Sequence, residues 1–122
     1  MAKIVVIDGQ GGGFGRALIE KLRAGGYAGE ILAVGTNAAA TAAMLKAGAS
    51  AGATGENAVV WNAGRAQVIA GPIGLVMANS MLGECSPAMA AAVAESPAHK
   101  VLIPACLLYT TPSPRDSTSC RI

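Results

Sequence analysis

Residues 3–15 read Lys-Ile-Val-Val-Ile-Asp-Gly-Gln-Gly-Gly-Gly-Phe-Gly, a run of β-preferring apolar residues that enters a glycine-rich turn. Ile4, Val5, Val6 and Ile7 lack the alternation of a half-exposed strand. They suit a strand covered on both faces, as central parallel strands are. From Phe14 the apolar positions Phe14, Leu18 and Leu22 recur every four residues, with Ile19 beside them, until Gly25-Gly26 ends the pattern. Strand, glycine turn and helix in that order make the opening unit of a parallel α/β sheet.

The remaining chain continues the alternation. Residues 30–35 read as a second strand, and Thr36 or Asn37 caps an alanine-rich helix that Gly48 ends. A short third strand is expected over residues 49–53, then a helical segment opened by Gly55-Glu56-Asn57 and running through Trp61. Residues 67–70 form the fourth strand, Pro72 starts a helix to about Leu82, Ser86-Pro87 caps another through Val93, and residues 101–103 form the fifth strand. The expected fold is α/β: a Rossmann-like, doubly wound, mainly parallel sheet of about five strands joined by right-handed crossovers.

Composition narrows the function classes. The 122 residues suffice for one domain, and 52% apolar content with 13% charged residues is ample for a core. A scattered net charge of +2 and 3% aromatic content argue against a nucleic-acid surface. The uncharged run over residues 66–83 approaches the length of a membrane span. Gly71-Pro72 and Asn79-Ser80 interrupt it, so no membrane segment is expected. No leader pattern follows Met1-Ala2-Lys3, and Cys85, Cys106 and Cys120 show neither metal-ligand spacing nor an even-numbered disulfide framework, so a reducing, cytoplasmic location is expected. His99 is the single histidine and precedes the fifth strand, which excludes a histidine triad or a multi-histidine metal site.

Ligands of open α/β sheets lie beyond the carboxyl ends of the strands. Small, polar and glycine-rich residues gather at four such ends: Asp8 to Gly15, Gly35-Thr36-Asn37, residues 54–57, and Gly71-Pro72-Ile73-Gly74. Glycines at 9, 13 and 15 fit a G-x-x-x-G-x-G variant of the dinucleotide loop, whereas strict G-x-G-x-x-G from Gly9 puts Phe14 at the third glycine. A Walker A motif fails because Gly15-Arg16-Ala17 replaces Gly-Lys-Ser/Thr. The cofactor-binding candidates are therefore Asp8, Gly9, Gln10, Gly11, Gly12, Gly13, Phe14, Gly15, Thr36, Asn37, Gly71, Pro72 and Ile73. Their expected ligand is a small anion, a nucleotide such as NAD(P) or a phosphorylated metabolite. The alternative is a turn whose glycines only let helix and strand pack closely, in a non-catalytic regulatory or partner subunit.

Individual side chains refine this picture without naming a reaction. Asp8 would repel phosphate at the mouth of an anion loop unless it binds a metal, a ligand hydroxyl or amine, or the loop's own N–H groups. Thr36 and Asn37 stand where NAD binders usually carry an acid and NADP binders a base, and both also suit helix capping. Arg16 lies in the first helical turn, against the helix dipole. Cys85 precedes a helix start and reads as a core filler or a thiol, and Glu56 and Glu84 read as helix-start carboxylates or acid–base residues.

Several segments together carry a resemblance: Val-Ile-Asp-Gly-Gln-Gly-Gly-Gly-Phe-Gly at 6–15, Gly-Thr-Asn at 35–37, Ala-Met-Leu-Lys-Ala-Gly-Ala at 43–49, Gly-Ala-Thr-Gly-Glu-Asn-Ala at 52–58, Gly-Pro-Ile-Gly at 71–74 and Asn-Ser-Met-Leu-Gly-Glu at 79–84. Over about residues 1–104 the chain resembles a small bacterial family catalogued only as domain of unknown function 3842. That resemblance implies a cytoplasmic Rossmann-like protein with no assigned activity and no catalytic residue to carry over. From about Ala105 the chain departs from the family, whose pattern continues with an Asn-Arg-Cys-bearing loop, a strand and a closing helix. Residues 106–116 instead resemble a translated sequencing adapter. The expected organisation is one domain over residues 1–104 and a non-native or disordered tail over 105–122, in which Cys106 and Cys120 carry no meaning. Without the closing strand and helix, exposed apolar surface on the fourth or fifth strand predicts marginal stability and self-association into a homo-oligomer.

Overall fold

The apolar run before the glycines is strand β1, Ile4–Asp8, and its surroundings explain why it has no polar face. In the computed structural model, which describes residues 3–104, β2 (Ile31–Gly35) pairs along one edge of β1 and β4 (Val68–Pro72) along the other. β3 (Ala51–Thr54) lies outside β2 and β5 (His99–Ile103) outside β4. The sheet order is β3-β2-β1-β4-β5, with every pair parallel.

Alternating side chains of the strands serve two cores. Val6, Ile31, Ala33 and Ala70 pack with Ile19 of α1 (Gly13–Ala24) and with Ala40 and Met44 of α2 (Ala38–Lys46). Val5, Ile7, Val34 and Ile69 pack with Val59 of α3 (Glu56–Ala63) and with Met89 and Val93 of α4 (Pro87–Glu95). Each fully buried valine or isoleucine stabilises the fold by about 1.5–3 kcal/mol relative to exposure. The chain thus winds outward from β1 to β3 with one helical layer, crosses the sheet, and winds outward again from β4 to β5 with the other. This is the expected Rossmann-like doubly wound fold, and its switch point lies between β1 and β4.

Local sequence accounts for the helices. Asn37 caps α2 by accepting the Ala40 amide on its side chain at 2.9 Å, and Ser86 caps α4 by accepting that of Met89 at 3.2 Å, with Pro87 in the first turn. The buried line of α1 is Gly15 and Ile19, while Phe14, Leu18 and Leu22 are half-buried. The expected stripe is therefore rotated toward the residue without a side chain, because Gly15 lets α1 approach its neighbours.

One expected helix is replaced. In place of a helix from Pro72 to about Leu82, Ile73–Val76 makes a single 3-10 turn and residues 77–85 fold back on themselves. Asn79 (φ 68°), Met81 (φ 56°), Leu82 (φ 57°) and Gly83 (φ 89°) adopt left-handed backbone. The Asn79 amide donates to the Cys85 carbonyl at 2.7 Å, and the Ser80 hydroxyl donates to the Gly74 carbonyl at 2.6 Å. A serine hydroxyl bonded to a nearby carbonyl competes with helical bonding, and the Pro72 start signal does not register that competition. No helix of the described residues is long and apolar enough to cross a membrane. The expectations for residues 105–122, including Cys106 and Cys120, lie outside the described residues.

Candidate functional site

β1 delivers Asp8 to the mouth of the sheet on the same side as Val6, facing α1. The Asp8 carboxylate is buried and accepts the Gly9 amide on Oδ1 at 2.8 Å and the Gly15 amide on Oδ2 at 2.6 Å. It therefore caps the start of α1 from within, where an open loop would receive an external anion. Of the roles open to Asp8, the structure shows the self-capping one. Burial pushes its carboxyl above the ordinary carboxylate value. The amides of Gly15, Gly9 and Phe14 pull it back, and the charge of Glu84 adds to the upward push.

Three glycines on this inner side are required by packing. Gly12 has φ 76°, and a Cβ there would stand 2.8 Å from the Ala40 backbone. A Cβ on Gly15 would lie 2.4 Å from Met44 Sδ and 3.1 Å from Asp8 Cβ. At Gly9 it would meet Thr36 Oγ1, Glu84 Oε1 and Met81 Sδ within 2.9 Å. The Gly12 amide also donates to the Gly9 carbonyl at 2.9 Å.

Gly11 and Gly13 behave differently. Both are exposed, neither has positive φ, and nothing lies within 4 Å of where a Cβ would stand. Their amides make no hydrogen bond among the described residues. They border a groove of about 600 Å³ between α1 and α2 whose lining includes Arg16, Glu20, Ala43 and Lys46.

Glu84 completes the site from the segment 77–85. Its Oε1 accepts the Gln10 amide at 2.6 Å, the Thr36 hydroxyl at 2.7 Å and the Asn37 side-chain amide at 3.1 Å. These bonds, that of Gln10 first, hold its carboxyl below the ordinary value. Asn37 also donates to the Gln10 carbonyl at 2.8 Å while capping α2, so the ends of β1 and β2 are tied through one side chain.

The structure thus gathers Asp8 to Gly15 with Thr36 and Asn37. Gly71 stands beside β1 instead, where a Cβ would lie 2.4 Å from the Ile7 carbonyl oxygen and 2.5 Å from Leu75 Cδ1. No side-chain hydrogen bond among the described residues joins Gly71, Pro72 or Ile73 to the loop.

The other candidates for chemistry have structural settings. Cys85 is fully buried, burial pushes its thiol up against an opposing hydrogen bond from Ser80, and its Sγ lies 3.5 Å from the Leu75 carbonyl oxygen. Such a thiol is a core filler. Glu56 accepts the Ser86 hydroxyl at 2.5 Å and so links α3 to the start of α4. His99 is exposed at the amino end of β5, opposite the rim that carries the glycine loop. Among the described residues, no group of three or more His, Cys, Asp or Glu converges as a metal site.

An all-parallel doubly wound sheet with a glycine turn beside its switch point defines a Rossmann-like α/β protein. The sequence profile of the domain of unknown function DUF3842 matches residues 3–108, and the chain belongs to that family. No curated protein and no solved structure matches it.

Proposed function

We propose that this chain binds a small anionic ligand, a nucleotide or phosphorylated metabolite, on the outer face of its glycine loop. The carrying observation is that Gly11 and Gly13 have exposed, uncommitted amides and no packing or backbone-angle requirement for glycine. A missing Cβ at both positions lets phosphate oxygens approach the main chain beside the positive end of α1. Arg16 and Lys46 outweigh the single carboxylate of Glu20 in the same groove, whose volume falls within the range of small-molecule sites. Thr36 and Asn37 are uncharged and are engaged with Glu84 and with capping, so this position carries neither the acid used for the ribose of NAD nor the base used for the extra phosphate of NADP. The proposal is binding, without an assigned reaction.

Native mass spectrometry and thermal shift against nucleotides, dinucleotides and sugar phosphates test this reading. A bound anion at about a hundredfold above its Kd should raise Tm by roughly 10 °C. Gly13→Val should remove that shift while the protein stays folded. No shift and no adduct with any anionic compound would overturn the reading.

A second reading rests on the inner face, where Asp8 and Glu84 already take the amides of Gly9, Gln10 and Gly15. There the turn is architectural and the chain is a non-catalytic regulatory or partner subunit. Pull-down of a stable partner, with no ligand response in either wild type or Gly13→Val, would favour it.

A further inference from the structure

We propose that the Glu84 carboxylate stands in for the ligand's anionic group, so that the tip of the segment 77–85, which carries Glu84, forms a displaceable lid that closes the site on itself. The inference rests on the anion-binding reading above and adds where one phosphoryl oxygen sits and what must leave first. Three donors of different origin, the Gln10 main-chain amide, the Thr36 hydroxyl and the Asn37 side-chain amide, converge on the single oxygen Oε1 of Glu84. Convergent donors on one oxygen form an oxyanion seat, and a phosphoryl oxygen has the same acceptor chemistry as the carboxylate now in it. The seat begins at Gln10, the residue next to Gly11, whose amide makes no hydrogen bond among the described residues.

The segment carrying Glu84 is anchored at its base, by Cys85 in the core and by the Ser80 hydroxyl on the Gly74 carbonyl, and its tip over residues 82–84 is the part placed to move. Its internal bonds, Asn79 amide to Cys85 carbonyl, Gly83 amide to Asn79 carbonyl and Cys85 amide to Ser80 carbonyl, close the loop upon itself, so the tip does not depend on the glycine loop for its backbone bonding. Its described contacts with the glycine loop and the end of β2 are the three bonds of Glu84 and the approach of Met81 to Gly9. Asn79, Met81 and Leu82 are non-glycine residues held at positive φ, a strain that an open arrangement can release. Leu82, at the tip, is 97% exposed, so lifting the tip uncovers little that is now buried there. The charge of Glu84 already pushes the Asp8 carboxyl up, so an incoming anion replaces Glu84 rather than joining it.

A carboxylate that competes intramolecularly lowers the apparent affinity for any external anion by the fraction of time it vacates the seat. The test uses the whole chain as wild type, Glu84→Gln and Glu84→Ala, with inorganic phosphate, ADP, ribose 5-phosphate and uncharged adenosine as probes. Affinity is read by calorimetry and backbone opening by hydrogen exchange. The expected order of affinity for a phosphorylated probe is Ala, then Gln, then wild type, with the alanine variant binding about tenfold or more tightly than wild type. The probe should also speed exchange in peptides covering residues 77–85 of wild type while Gln10 stays protected. If Glu84→Ala fails to fold, the ratio of Glu84→Gln to wild type decides, with about threefold or more expected. A phosphorylated probe that binds wild type and variants equally, with exchange at 77–85 unchanged, overturns the lid and leaves the anion-binding reading standing. Absence of binding to all three proteins overturns both, and adenosine binding alone assigns the seat to a hydroxyl and removes the anion. Inorganic phosphate alone sufficing identifies the phosphoryl group as the recognised element, whereas a requirement for ADP or ribose 5-phosphate shows that the organic moiety contributes.

Discussion

The two faces of the glycine loop use the same amino acid for opposite ends. On the inner face, Gly9, Gly12 and Gly15 let strand, helix and neighbouring side chains approach more closely than any Cβ allows, and their amides close on Asp8 and on the loop itself. On the outer face, exposed Gly11 and Gly13 meet open space, and their amides make no hydrogen bond among the described residues. A glycine-rich motif therefore does not report a ligand by its spacing. What separates an architectural glycine from a binding glycine is what a side chain at that position would strike.

The largest expected effect breaks the inner face. Gly12→Val places a β-branched side chain at φ 76° and drives its Cβ to 2.8 Å from the Ala40 backbone. Left-handed strain and the displacement of α2 together should destabilise by about 4 kcal/mol, read as a drop in the urea midpoint. A change below 1 kcal/mol would mean that the loop is not packed against α2 and that the inner–outer distinction fails.

Asp8→Asn comes next. The amide side chain offers one acceptor where two main-chain N–H groups now find carboxylate oxygens, so a donor faces a donor and about 2 kcal/mol of stability should be lost. The two carboxylates also give opposite pH slopes. The folded pKa of Asp8 is raised above 3.8, so its contribution is fullest below that value and is lost as pH rises through the folded pKa. The folded pKa of Glu84 is lowered from 4.5, so its contribution is present above 4.5 and is lost as pH falls through the folded value. Solvent around Glu84 keeps its slope small. Urea midpoints between pH 3 and 7 should accordingly lose their acid-side decline in Glu84→Gln and their alkaline-side decline in Asp8→Asn.

The comparison of faces also shows how far the sequence could be read. The uninterrupted Ile4 to Ile7, the glycine stop at 25–26 and the Ser86-Pro87 pair each carry a local signal, and each corresponds to an element close to its expected bounds. Asp8 as a cap for its own loop was also legible, because an acid beside free N–H groups has a local partner. Glu84 was not legible as part of the site. It meets Gln10 across 74 positions of sequence, and the turn that brings it there depends on left-handed Asn79, Met81 and Leu82, two of which have no local preference for that conformation. Residues 72–82 read as a helix because Pro72 suits a first turn, whereas the Ser80 hydroxyl bonds back to Gly74 and the Asn79 main-chain amide to Cys85. No spacing rule separates Gly11 and Gly13 from their neighbours, since only the arrangement of α1 against α2 shows which positions face open space.

The smallest effect on stability, and the sharpest test of the outer face, is Gly13→Ala. Gly13 is the first residue of α1, with ordinary backbone angles and empty space where a methyl group would go. Alanine there removes unfolded-state freedom and improves helix propensity, so stability should rise by about 0.5 kcal/mol. If the outer face seats an anion, the same methyl group stands between the Gly13 amide and a phosphate oxygen, and affinity should fall although the protein is more stable. Arg16→Ala should weaken the same ligand while leaving the urea midpoint within about 0.5 kcal/mol, because an exposed side chain away from packed contacts contributes little to folding. Stability and affinity moving in opposite directions at position 13 is an outcome that a purely architectural turn cannot produce.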